Sequence, residues 1–155
     1  MPFLKSYKLL HAKTIIYFNL HTMNNSPVIL FDGVCNLCNG SVQFVIKHDK
    51  AGLFKFASLQ SEAGQQLLKK YQLPATNFNS FVLIQDEKAY TKSTAALMVA
   101  KQLTGVVKSL YAFSIIPTFI RDGVYNFIAK NRYSWFGKKD SCMIPSANIE
   151  ARFLK

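Results

Sequence analysis

Val28-Ile29-Leu30-Phe31-Asp32-Gly33-Val34-Cys35-Asn36-Leu37-Cys38 is the stretch that decides the fold. Pro27 leads into four apolar residues and Asp32-Gly33 breaks the run, the pattern of a short buried strand followed by a turn. Beyond the turn, Val42, Val45 and Ile46 recur at helical spacing. Lys47, His48 and Lys50 gather where the negative end of a helix dipole falls, and Gly52 ends the helix. Two cysteines three positions apart thus stand between a buried strand and an amphipathic helix.

Working outward, Leu53–Ala57 alternates around Lys55 and reads as a second strand, and Gln60–Tyr71 reads as a second helix ending before Pro74. Ser80–Gln85 predicts a third strand. It turns through Asp86-Glu87-Lys88 into a fourth at Ala89–Lys92. Ser93 is the expected N-cap of a helix over Thr94–Leu103, closed by Gly105. Val106–Ile116 and Thr118–Asn131 have helical character on either side of Pro117, and Tyr133–Pro145 is expected to be irregular. The order is β-α-β-α-β-β-α with extra C-terminal helices. This is an α/β, thioredoxin-like three-layer fold in which a parallel βαβ unit is followed by an antiparallel hairpin. The expected domain is 25–146. Residues 1–24 are set aside as a flexible extension, with Met23 a plausible start, and 147–155 are a tail.

The chain of 155 residues suits one domain, and 50% hydrophobic residues exclude a disordered chain. No run approaches the roughly 20 apolar residues of a membrane-spanning helix. Residues 1–25 do not read as a secretory signal, so a cytoplasmic location is expected. Net charge is +11, spread as +3 over 1–26, +4 over 27–120 and +4 over 121–155. No block of like charge stands out, so the excess reads first as a solvated basic surface, with a nucleic-acid or anionic-membrane surface as the alternative, and no nucleic-acid partner is expected.

Three cysteines are too few for a disulfide framework. Cys35 and Cys38 have a better use. Unpaired N–H groups and the positive dipole end at a helix N-terminus favour a thiolate, and the spacing brings two sulfurs within bonding range. Cys35, at the exposed helix entrance with a lowered pKa, is expected to attack a disulfide. Cys38, one turn in and more buried, would resolve the mixed disulfide, and the pair would cycle without a cofactor. The partners would be a disulfide-containing protein or small thiol and an unidentified electron donor. Asp32 has two readings: a proton relay for either thiol, or a loop cap accepting backbone N–H bonds. Gly33 permits a backbone conformation that a side chain would forbid. A rival zinc site would need Cys35, Cys38 and Cys142 with His48 or His11, and no second CxxC completes it. The alternative function is thus a redox-inert or zinc-binding adaptor with a basic surface. An aspartate-nucleophile phosphohydrolase is discarded because Val34 stands where a second Asp is needed.

With Asp32, Cys35 and Cys38 in place, the chain resembles the DCC family of thiol–disulfide oxidoreductases. Further matches are Ser93-Thr94-Ala95-Ala96-Leu97, Ile116-Pro117, Arg121-Asp122, Tyr125, Asn131–Gly137 and Cys142-Met143-Ile144-Pro145. The resemblance covers about 27–146 and implies a thioredoxin-like fold with redox activity. It departs from ordinary thioredoxins in lacking Trp-Cys-Gly-Pro-Cys and in having Asn79-Ser80 where a cis-proline would precede the third strand. Arg132, Tyr133 and Cys142 could approach the cysteine pair, Arg132 to stabilise the Cys35 thiolate and Cys142 to form a third-thiol link. The favoured reading of Arg132 is structural, paired with an acid such as Asp122, with Tyr133, Trp135 and Phe136 anchoring the tail. His48 is expected to be a helix-end residue.

Overall fold

The computed structural model describes residues 26–74, 80–140 and 145–155. Strand β1 (Val28–Phe31) is followed by α1 (Asn36–His48), β2 (Lys55–Ser58), α2 (Glu62–Lys70), the hairpin β3 (Val82–Gln85) and β4 (Lys88–Thr91), and α3 (Lys92–Gln102). A 3₁₀ segment (Gly105–Ile115), the long helix α4 (Thr118–Phe136), a 3₁₀ turn (Glu150–Arg152) and the short β5 (Phe153–Leu154) complete the chain.

The sheet order is β4-β3-β1-β2-β5. β1 and β2 are parallel, while β3 is antiparallel to both β1 and β4. Alternation along the strands sends side chains to two cores. Ile29, Phe31, Phe56 and Leu83 pack with Val42 and Val45 of α1 and Ala95 and Val99 of α3. Leu30, Ala57, Val82 and Ile84 pack on the other face with Leu68 of α2. Two helices on one face and one on the other give the three layers expected of a thioredoxin-like α/β fold.

Several local expectations shift. The hairpin turn is two residues long because Asp86 and Glu87 both adopt positive φ, 51° and 58°, so Lys88 already belongs to β4. Thr91, not Ser93, occupies the N-cap of α3, and the Ser93 hydroxyl instead donates to Asp122. Tyr133–Phe136 continue α4 to the glycine at its C-cap, Gly137, where φ is +80°. The stretch 147–155, read as a tail, supplies β5 beside β2. Phe153 stacks on Phe56 at 5.3 Å, and the Arg152 guanidinium reaches the buried Asp49 carboxylate and the Phe54 carbonyl.

Gly64 and Gly40 make opposite predictions. A Cβ at Gly64 would lie 1.9 Å from the Ser58 carbonyl oxygen, where α2 crosses the end of β2, whereas a Cβ at Gly40 meets nothing within 4 Å. Gly64→Ala should destabilise by about 3 kcal/mol as backbone is forced apart. Gly40→Ala, inside α1, should stabilise by about 0.5–1 kcal/mol. Urea-denaturation midpoints of the two variants check both signs.

Candidate active site

Asp32 ends β1, and its carboxylate organises everything around the cysteine pair. Oδ1 accepts from the Val34 amide at 3.2 Å and from Gln60 Nε2 at 2.9 Å. Oδ2 accepts from Arg132 Nη2 at 2.8 Å and from the Tyr133 hydroxyl. The Arg132 and Asp32 side chains are only 3% and 6% exposed, so this is a buried ion pair between residues 100 positions apart. Burial alone would raise the Asp32 pKa. The bonds from Tyr133, Arg132, Gln60 and Val34 outweigh it and hold the carboxyl below its ordinary value. Burial likewise works against the Arg132 charge, and the bond to Asp32 reverses the effect, so the guanidinium stays charged. Tyr133 is pushed up by burial and by the carboxylate it bonds, and keeps its proton.

Gln60 is held in turn. Its Oε1 accepts from the Gly33 amide at 3.0 Å and from the Ser58 hydroxyl at 2.6 Å. The Gly33 carbonyl accepts from Asn39 Nδ2 at 2.9 Å. The loop 32–34 is thereby tied on both sides before the helix starts.

Cys35 is the N-cap of α1, in extended conformation, and its Sγ accepts from the Cys38 amide at 3.4 Å. A sulfur in the place of a capping oxygen is the geometry in which a helix N-terminus favours a thiolate. Cys38 is pushed up to about 12, first by burial, then by its bond to Cys35 and the Cys35 charge; Arg132 opposes the rise and Asp32 adds to it. Cys38 therefore holds its proton at neutral pH.

Their exposure reverses the sequence expectation: Cys35 is fully buried and Cys38 is half-buried. The cause is the chain leaving α4. The Gly137 carbonyl accepts from the Asn36 amide at 3.4 Å, the Lys139 amide donates to the Val34 carbonyl at 2.8 Å, and Cys35 forms a bridge with Lys138. Asn36 Nδ2 adds a bond to the Phe136 carbonyl at 2.8 Å. This strap covers Cys35. Cys38 instead faces a cleft of about 730 Å³ walled mainly by apolar side chains, among them Phe44, Phe81, Leu110, Ile128 and Phe136. Tyr125 stands in the same wall, its hydroxyl accepting from the Phe81 amide at 2.8 Å.

Asp32, Gly33, Cys35, Cys38, Arg132 and Tyr133 therefore meet in one place. Asp32 caps its loop by accepting from the Val34 amide, one of its two readings. Arg132 pairs with Asp32 and not with Asp122, because Asp122 faces Ser93 while Arg132, about three turns further along α4, reaches the residue after β1. Cys142 and His11 lie outside the described residues. His48 closes α1, about 20 Å along the helix from Cys35, with its Nδ1 2.8 Å from the Phe44 carbonyl. Among the described residues no group of three His, Cys, Asp or Glu side chains is placed to hold a metal. Gln60, Asn39 and Asn36 were not singled out from the sequence. Gln60 had a signal: it follows β2 as Asp32 follows β1, and parallel neighbours end side by side.

A thioredoxin-like fold with a CxxC pair at the first turn of the helix after β1 defines the class as that of thiol–disulfide proteins. The chain matches the DCC1-like thiol-disulfide oxidoreductase family over residues 29–138, and it belongs to that family. It is 60% identical over 127 residues to the uncharacterised protein YuxK of Bacillus subtilis, covering 82% of this chain and 93% of that one. It is 44% identical over 117 residues to a chloroplastic DCC family protein of Arabidopsis thaliana, covering 75% of this chain and 68% of that protein. No solved structure gives a significant match. Among the described residues no helix is long and apolar enough to cross a membrane.

Removing the Asp32 charge should expose how much rests on it. Asp32→Asn leaves Arg132 buried without a counter-charge and should cost about 3–5 kcal/mol at neutral pH. A carboxylate with a lowered folded pKa stabilises above its unfolded value and loses that contribution as pH falls through the folded one. The gap between wild type and variant should be full at neutral pH and shrink below the ordinary 3.8, as read from denaturation midpoints across acid pH.

Proposed function

We propose that the protein is a thiol–disulfide oxidoreductase in which Cys35 is the attacking thiolate and Cys38 the resolving thiol. The observation that carries this reading is the capping of the first turn of α1 by Cys35 Sγ beside a Cys38 that holds its proton. The Cys35 thiolate attacks one sulfur of a substrate disulfide, forming a mixed disulfide and releasing the other sulfur as a thiolate, which takes up a proton. Cys38 gives up its proton, attacks Cys35 Sγ and releases the second substrate thiol. The substrate gains two electrons and two protons, and the enzyme is left with a Cys35–Cys38 disulfide. An external dithiol of unidentified source restores the reduced pair.

Asp32, Arg132 and Tyr133 serve as positioning residues in this scheme. Arg132 lowers the cost of charge at Cys38 when that thiol must ionise, while Asp32 raises it, so the pair sets the balance between attack and resolution. Attack by a buried Cys35 requires the strap at 137–139 to part from Val34, Cys35 and Asn36. Two backbone hydrogen bonds, Asn36 N–H to the Gly137 carbonyl and Lys139 N–H to the Val34 carbonyl, pair it with the cysteine loop. The substrates would be a disulfide-bearing protein or small disulfide, meeting Cys35 where the strap parts.

Single cysteine variants test the assignment. Cys35→Ser should abolish reduction of a model disulfide, and Cys38→Ser should accumulate a mixed disulfide on Cys35, located by mass spectrometry of the non-reduced protein. Trapping on Cys38 in the Cys35→Ser variant would reverse the two roles. Full activity in either variant would remove the pair from the chemistry.

A further inference from the structure

Helix α4 is built inside out. Its inward side is polar: Arg121 and Asp122 meet Ser93, Tyr125 bonds Phe81, and Arg132 and Tyr133 bond Asp32. Its outward side is apolar, with Phe119 78% exposed, Val124 58%, Phe127 62% and Trp135 54%. Phe127 and Trp135 meet edge to face at 5.6 Å, joining the outer stripe into a ridge. The 3₁₀ segment before it also exposes apolar side chains, with Val106 86% and Ile115 89% exposed. Scattered apolar residues on a surface are ordinary, but a row of large apolar side chains along one side of a helix marks a binding face.

The charge around this face selects the partner. Lys108 and Lys130, which lie on these two elements, are exposed. Asp122 is the sole acid between 105 and 139, and it is half-buried against Ser93. A second copy docked here would bring two cationic rims together. An acidic surface that also accepts apolar side chains satisfies both features, and these are the properties of a bilayer with anionic headgroups. At 19 residues α4 is about 28 Å long and carries its apolar side chains along one stripe, so it suits lying in the interface plane.

We propose that the outward stripe of α4 and the 3₁₀ segment form a docking face for an anionic lipid bilayer. The proposal goes beyond the thiol chemistry and does not depend on it. It does fix where that chemistry would occur, because Leu110, Ile128 and Phe136 belong both to this exposed surface and to the wall of the Cys38 cleft. A docked molecule would meet its substrate at the membrane boundary.

Vesicle co-sedimentation of the full chain tests the face. The wild type should bind vesicles of phosphatidylcholine containing about one-third phosphatidylglycerol at low salt, and bind pure phosphatidylcholine at least about tenfold more weakly. Phe119→Glu combined with Phe127→Glu should lose binding by at least about tenfold while keeping disulfide reduction and far-ultraviolet dichroism unchanged. Lys108→Glu combined with Lys130→Glu should weaken binding several-fold and flatten its salt dependence. Equal binding to both vesicle types, undiminished binding of the phenylalanine double variant, or no binding to anionic vesicles would overturn the proposal. So would a dimer in sedimentation velocity that the phenylalanine variant dissociates without any vesicle binding.

Discussion

The buried ion pair of Asp32 and Arg132 is the constraint on which the rest of the site depends. A carboxylate at the end of a central strand cannot stay charged in a low-dielectric interior unless its lone pairs are filled. Four donors fill them, and they come from three places: the next turn, the end of β2, and two successive residues of α4. Satisfying one side chain therefore fixes the loop before the cysteines, the end of the neighbouring strand and the register of a helix 100 residues away. Docking α4 in that register also brings its C-terminus over Cys35, because the chain leaving Phe136 falls directly beside Val34 and Asn36.

That geometry treats the two sulfurs differently. The helix N-terminus acts on Cys35, whose sulfur caps a backbone amide. Burial, the neighbouring sulfur and the Asp32 charge act on Cys38 and keep its proton on. Position along the helix gives Cys38 the cleft and gives Cys35 the strap, so the sulfur that caps the helix is the one with the poorer access. On the proposed mechanism, reactivity and exposure are therefore separated in this site.

The sequence was legible wherever structure is decided locally. Apolar runs broken by Asp32-Gly33 or Gly52, and the 3.6-residue recurrence of Val42, Val45 and Ile46, carry their own periodicity, so the three-layer order and the placement of the cysteines could be read directly. What escaped was set by distant partners or by very short elements. Phe153–Leu154 is a two-residue strand that exists because β2 has a free edge and Phe56 offers a ring to stack on. Asp86 and Glu87 make a two-residue turn without the glycine that advertises one. Arg132 was assigned to an acid on its own helix because proximity in sequence is the only proximity a sequence displays. The order of burial of Cys35 and Cys38 depends on a strap about 100 residues downstream, and no pattern near the cysteines encodes it.

The same ion pair explains the odd composition of α4. An ordinary surface helix turns its apolar stripe inward and its charges outward. Here the inward stripe is committed to polar work, since Tyr125, Arg132 and Tyr133 must reach Phe81 and Asp32. The core beneath is already closed by α1 and α3, which supply Val42, Val45, Ala95 and Val99 to the sheet. A helix that packs through polar contacts has no structural need for phenylalanines on its far side, so their presence there calls for a different cause. Water gives them none: exposed aromatic side chains add neither solubility nor stability to an isolated chain. The apolar stripe is therefore best understood as the complement of the polar one, freed from holding the fold together and available for contact with something outside it.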